Sequence, residues 1–383
     1  MTVLTGGKVV TPDGVVADAS VTVQAGRITD ISRGPAPSGA VDLAGKWLLP
    51  GFIDLHTHGG GGHDVTGSPE DMSAAVAFHR RHGTTRTLVS LAAAAPSSLI
   101  EGLGWVTDMV DAGSGQFGHV IGAHLEGPFL ADSRRGAQNP AHLLMPDRNT
   151  FAKLVEAARG ALRSVTIAPE LPGALELIGD IVEAGAVAAI GHTDATYDQA
   201  RAAIDAGATL ATHLFNGMRP VHHREPGVVW AALVSGIACE VINDGVHVHP
   251  AVTTLVGNVP GRLVLITDAI QAAGLNDGDF TVGGLHIHVV NGQVRLAGTD
   301  TLCGSTLTMD AALRRAVKEC ALPIEVAAAA ASANPARVLG IDDDCGAIVV
   351  GRAADLVVLD QDLMVVGVMA GGEWDAQYPQ PMA

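Results

Sequence analysis

The sequence predicts an α/β protein built on a (β/α)8, TIM-like barrel, with a small β-sandwich assembled from both ends of the chain. Three observations carry that expectation. From about residue 50 to 345, short apolar runs alternate with alanine-rich stretches of helical character, the pattern of parallel strands joined by crossover helices. Residues 1–49 and 346–383 read instead as strands separated by turns, too few at either end to bury a core alone. The 383 residues, 48% hydrophobic and 16% charged, supply enough apolar area for one large core and one smaller one.

Taken in order, residues 8–10, 15–16, 21–23 and 27–31 are short valine- and isoleucine-rich strands, with Asp13-Gly14 and Ala25-Gly26 as turns. The apolar run 47–55 reads as one buried strand that ends in His56-Thr57-His58, and the glycines at 59–62 stop it. Further strands are expected at 85–90, 120–126, 164–168, 187–192, 210–213, 238–242 and 263–268, which with the first makes eight. Segments 151–160, 172–185 and 197–207 suit the intervening helices. Residues 277–300 look like a β-hairpin inserted after the eighth strand, and 305–340 look helical. Strand patterns return at 346–350, 354–360 and 365–368, so 346–383 should pair with 1–49.

Composition narrows the partners. The formal charge is −17 and no Lys/Arg run tracks a phosphate backbone, which argues against nucleic acid and anionic membranes. Apolar segments are interrupted well short of a membrane span, and no basic region precedes an apolar core at the N-terminus, so a cytoplasmic protein is expected. Cys239, Cys303, Cys320 and Cys345 form no CxxC pair and give no disulfide framework.

The chemistry gathers at strand ends. The first strand closes in His56 and His58, others in Glu126, His192 and His213, and the eighth in Asp268. A lone histidine is usually a satisfied core residue, but ligand-type side chains at equivalent strand ends should meet at one mouth. Imidazoles and a carboxylate without thiolate suit a borderline divalent metal such as zinc or iron. Two arrangements are open: one ion on His56, His58 and Glu126 with a second on Glu126, His192 and His213, or a single tight ion on Glu126, His192 and His213. Lys8, Lys46, Lys153 and Lys318 lie away from the barrel mouth, so Glu126 would be the bridge. Asp268 stands where a general base belongs; the alternative is a cap on the turn it occupies.

These residues sit in motifs that can be recognised. Pro50-Gly51-Phe52-Ile53-Asp54-Leu55-His56-Thr57-His58, His124-Leu125-Glu126-Gly127-Pro128, Gly191-His192-Thr193-Asp194-Ala195, Thr212-His213-Leu214-Phe215-Asn216-Gly217, Arg224-Glu225-Pro226-Gly227, Asp244-Gly245-Val246-His247 and Thr267-Asp268-Ala269 resemble the amidohydrolase superfamily and, within it, the N-acetylglucosamine-6-phosphate deacetylase family. The resemblance runs nearly end to end. It implies hydrolysis of the acetamide of N-acetylglucosamine 6-phosphate to glucosamine 6-phosphate and acetate, in amino-sugar catabolism and cell-wall recycling, usually by a homodimer. It places the metal on Glu126, His192 and His213, with His56 and His58 favouring a second ion, and zinc, iron or manganese as the metal. The acid/base falls on Asp268, and substrate contacts on Ala137, Asn216, Gly217, Arg224, His247, Leu302, Cys303 and Gly304. Gln138 departs from relatives with histidine there; it can still hydrogen-bond a sugar hydroxyl but carries no charge. Arg224 beside Asn216-Gly217 suits a phosphate, from its own or a neighbouring subunit. The rival readings are another amidohydrolase, a cyclic amidase or deaminase with the same metals, and a binding protein that has lost catalysis.

Overall fold

The computed structural model describes residues 1–33, 37–113 and 119–376. Eight parallel strands form the barrel: Phe52–Asp54, Thr84–Ala92, His119–Glu126, Leu162–Ile167, Val187–Ile190, Leu210–Ala211, Ala238–Ile242 and Leu263–Ile266, hydrogen-bonded in that order. Helices follow most of them, among them Pro69–Arg81, Pro96–Ala112, Arg148–Ala158, Ala174–Glu183 and Tyr197–Asp205. Strands such as Leu263–Ile266 are buried throughout, which is why they read as unbroken apolar runs. The helix Tyr197–Asp205 starts where Thr196 and Gln199 form a reciprocal capping box.

The barrel closes between its first and eighth strands. Asp54 is fully buried; its Oδ2 accepts the Thr267 hydroxyl at 2.6 Å, and its Oδ1 accepts the backbone N–H groups of His56 and Thr267 at 3.2 and 3.3 Å. Beyond it, the Asp268 N–H donates to the His56 carbonyl and the His58 N–H to the Ala269 carbonyl, both at 2.8 Å. Thr57 and Ala269 make a parallel bridge across the same seam.

The chain ends form one eight-stranded sheet. Thr2–Thr11 pairs with Gly14–Gln24, and Trp47–Pro50 joins it to Leu356–Leu359 from the far end. Leu4, Val9, Val21, Leu48, Leu356 and Met369 belong to a separate apolar core on this sheet. Residues 15–23, expected as two strands, lie in the single strand Gly14–Gln24.

Three further expectations are corrected. The run 47–55 is not one strand: Trp47–Pro50 belongs to the terminal sheet and Phe52–Asp54 to the barrel. Gly51 makes the handover, and a Cβ there would lie 2.2 Å from Thr85 Oγ1. Residues 346–350 are not a strand, because Gly346 takes a φ of +82° and packs so close to Ser332 and Ala336 that no Cβ fits. The hairpin is a three-stranded antiparallel sheet, Gly278–Val282, Leu285–Val290 and Gln293–Leu296. Asn291 and Gly292, both at positive φ, supply its second turn.

Helix Pro69–Arg81 packs under the glycine-rich loop that follows His58, and His79 is the contact. It is 1% exposed; its Nε2–H donates to the Gly59 carbonyl at 2.8 Å, and its Nδ1 is buried without a partner. Burial therefore pushes its pKa down from 6.5 to about 4, against the opposing pull of the Gly59 bond. Below pH 6.5 the unfolded chain takes up a proton that the fold refuses, so stability falls as pH drops towards about 4. The share assignable to this residue is about 3 kcal/mol. His79→Gln, which keeps the donor, should flatten the acid limb of the unfolding free energy by about that amount, measured by denaturant titration from pH 7 to 4. An unchanged acid limb would show that His79 does not carry it.

Candidate metal centre and substrate cleft

His56 and His58 stand just past the first strand, Glu126 ends the third, His192 and His213 follow the fifth and sixth, and Asp268 follows the eighth. His192, His213 and Asp268 take φ values of 46°, 28° and 48°, a left-handed conformation that costs a non-glycine residue about 1–3 kcal/mol. That conformation turns each side chain off the end of its strand and into the mouth. All but His58 are buried, with Asp268 the most exposed at 8%.

The side chains converge. His192 and His213 Nε2 each lie 3.0 Å from Glu126 Oε1 and 3.1 Å from each other. His58 Nε2 lies 3.3 Å from Glu126 Oε2 and 3.1 Å from His56 Nε2. Asp268 Oδ1 is 3.5 Å from His56 Nε2 and 3.4 Å from His58 Nε2. Two triads result, His56, His58, Glu126 and Glu126, His192, His213, each with its ligand atoms within 4.8 Å of one another. Glu126 is common to both.

The far ring nitrogens show what this donor set fits. His58 Nδ1 lies 3.1 Å from the Ser90 carbonyl and His192 Nδ1 2.9 Å from the Arg134 carbonyl. A carbonyl only accepts, so Nδ1 carries the hydrogen and a neutral ring turns a bare Nε2 lone pair inwards. Lone pairs about 3 Å apart, facing a carboxylate, demand a positive charge among them. Proton affinities follow the same demand. Burial opposes charge on His58, yet Asp268 and Glu126 lift its imidazole to about 9. Burial would raise the carboxyls too, but His56 and the other rings hold Glu126 well below the usual range, and His56 and His58 depress Asp268. A divalent cation meets the demand without competing protons.

The centre opens into a cleft of about 640 Å3. Ala137, Gln138, Asn216, Gly217, His247, Leu302, Cys303 and Gly304 line it. Gly217, at φ +59°, sits where a Cβ would come within 2.9 Å of His192 Nδ1. His247 Nδ1 lies 2.7 Å from Asp244 Oδ2. Gln138 lines the cleft with its side-chain amide engaged: its Oε1 accepts the Ala93 N–H at 3.0 Å, and its Nε2 donates to Glu126 Oε2 at 2.6 Å. Arg224 is not brought to this cleft. It is exposed, with Nη1 2.7 Å from His223 Nε2. His124 is a core residue, held between the hydroxyls of Ser90 and Thr166 at 2.9 and 2.8 Å.

Sequence reasoning missed Asp64, Glu101, Trp105 and Asp300, which also line the cleft. Glu101 and Trp105 share one face of helix Pro96–Ala112, one turn apart, and nothing in their local pattern marks them. It also missed Asp54, although its place two residues before His56 was the available signal.

The chain is similar to known proteins along nearly its whole length. The chain is 36% identical over 374 residues, 97% of its length and 98% of the relative's, to an N-acetylgalactosamine-6-phosphate deacetylase of Escherichia coli O157:H7. It is 37% identical to the human N-acetylglucosamine-6-phosphate deacetylase, covering 88% of this chain and 85% of that one. An aspartate-to-alanine mutant of the Mycobacterium smegmatis N-acetyl-D-glucosamine-6-phosphate deacetylase, solved in complex with N-acetyl-D-glucosamine-6-phosphate, superposes with a TM-score of 0.93 at 43% identity, covering 97% of this chain and 98% of that one. Residues 47–374 match the amidohydrolase family, and the chain belongs to it.

Proposed function

We propose that this protein is a metal-dependent deacetylase that hydrolyses the acetamide of N-acetylglucosamine 6-phosphate to glucosamine 6-phosphate and acetate. The observation that carries the reading is the meeting of Asp268 with four imidazoles around a shared Glu126 at one rim. Relatives named for this deacetylation match nearly the whole chain. A second reading, the galactosamine epimer, is favoured by the Escherichia coli relative at 36% identity.

We assign one divalent ion to His56, His58 and Glu126 and a second to Glu126, His192 and His213, with zinc preferred over iron or manganese. When bound, the ions supply Lewis-acid activation of the acetamide carbonyl and of the attacking water. Asp268 accepts the proton of that water as it adds to the carbonyl carbon, then delivers it to the sugar nitrogen as the C–N bond breaks. Asp268 suits both steps because its carboxylate touches the imidazoles without joining either ligand triad. His247, held by Asp244, faces the substrate oxygens from the cleft wall. Gln138 steadies the bridging carboxylate, and Ala137, Asn216, Gly217, Leu302, Cys303 and Gly304 shape the sugar site.

A phosphate needs a cation, and among the described residues lining the cleft there is no lysine or arginine. Arg224 precedes helix Gly227–Ser235, which is apolar yet leaves Trp230 and Val234 at 40% and 67% exposure. A helix apolar on all sides belongs in an interface. We therefore assign a homodimer in which a second copy covers this helix and Arg224 reaches into the partner's cleft. No helix among the described residues is long and apolar enough to cross a membrane. The four free cysteines and a phosphorylated substrate suit the cytoplasm.

Acetate release by protein stripped with a chelator and reloaded with zinc, iron or manganese tests the whole reading. Activity should vanish on stripping, return with metal and be highest on N-acetylglucosamine 6-phosphate. Turnover only on the galactosamine epimer would select the second reading, and turnover only on cyclic imides or nucleobases would reject both. Asp268→Asn should keep its metal and lose about 100- to 10,000-fold in kcat; near-normal turnover would remove Asp268 from its role. Arg224→Ala should weaken kcat/KM for the phosphorylated sugar by about 1.5–3 kcal/mol and leave the unphosphorylated sugar unchanged. Equal losses on both would contradict phosphate recognition.

A further inference from the structure

We infer that Asp194, which no step above uses, is a positioning residue that fixes His192 and two substrate-facing loops together. The inference rests on the metal assignment made above. Asp194 lies two residues past His192, and its Oδ1 accepts Nε–H of Arg134 at 2.8 Å, with Arg134 Nη2 2.7 Å away in the same ion pair. Arg134 is the residue whose backbone carbonyl accepts His192 Nδ1–H at 2.9 Å. The ion pair thus pins the one carbonyl that sets which His192 nitrogen faces the centre. A loop without that tether leaves the carbonyl free to turn, and the ring with it.

The other carboxylate oxygen does the same for the second loop. Asp194 Oδ2 accepts Arg219 Nη2–H at 3.0 Å, and its backbone carbonyl accepts Arg219 Nε–H at 2.9 Å. Arg219 follows Gly217, whose carbonyl accepts the Thr193 N–H at 2.9 Å and whose missing Cβ makes room for the His192 ring. Asp194 is itself held from behind, where its N–H donates to Glu170 Oε1 at 2.6 Å. Burial works against its charge, but Arg134 and Arg219 hold the carboxyl below its usual range. With all three side chains about one-third exposed, the pairs add little to global stability. Their value is geometric: one carboxylate ties the loop carrying Ala137 and Gln138, the loop carrying Asn216 and Gly217, and His192 into one unit.

Chelator competition on zinc-loaded protein separates this role from a structural one. Asp194→Ala and Arg134→Ala should each weaken zinc affinity about 10- to 100-fold, while Arg219→Ala should leave it within about twofold and raise KM instead. Asp180→Asn, which breaks a comparable surface pair with Arg148 outside the cleft lining, should change neither. If Asp194→Ala fails to fold, Asp194→Asn carries the same expectation of weakened zinc binding. Zinc affinity within twofold of wild type in a folded Asp194 variant overturns the inference. A wild-type protein that binds no zinc, iron or manganese overturns the metal assignment and this inference with it.

Discussion

The geometry of this protein depends on the seam where the barrel closes. Asp54 receives three hydrogen bonds there, two of them from Thr267, just past the opposite strand. Because a buried carboxylate without such donors costs several kcal/mol, the first and eighth strands can meet in only one register. That register sets His56 beside Asp268, two residues that are otherwise far apart in the chain. The proposed ligand His56 and the proposed base Asp268 are thereby held at a fixed separation by a contact that belongs to neither ligand triad.

The centre is a problem of charge balance solved by shape. Four imidazoles, three of them buried, crowd around the buried Glu126, and backbone carbonyls dictate which nitrogen of the His58 and His192 rings looks inwards. The backbone strain at His192, His213 and Asp268 belongs to the same solution, because an extended residue at each strand end would carry its side chain away from the mouth. The barrel's apolar core offsets that strain, being buried from Phe52 through Ile266.

Most of the barrel is legible in the sequence for a physical reason. A strand covered on both faces must be apolar along its length, so Leu263–Ile266 announces itself, and a polar residue that ends such a run, like Asp268, has only the rim to occupy. Legibility fails where tertiary contact decides. The run 47–55 looks uniform although Gly51 passes it from one sheet to another, because the requirement is the space Thr85 leaves. Residues 346–350 are apolar enough for a strand, yet Ile348 reaches the terminal core from a loop. Gln138 shows its partner only in three dimensions, since Glu126 lies 12 residues away across a turn. Arg224 is outside the cleft lining of its own chain, and a local motif cannot say on which subunit a side chain acts.

The handover at Gly51 has a consequence for how the molecule can be divided. Leu356–Leu359 is zipped onto Trp47–Pro50, only a few residues upstream of His56, and Arg86 on the second barrel strand grips Asp355 at 2.8 Å. Excising the barrel as a free-standing catalyst would strip one edge from the segment that aims the first imidazole. Loss of the tail, by protease or by a truncating mutation, should therefore reach the reaction centre through the backbone rather than through solvent.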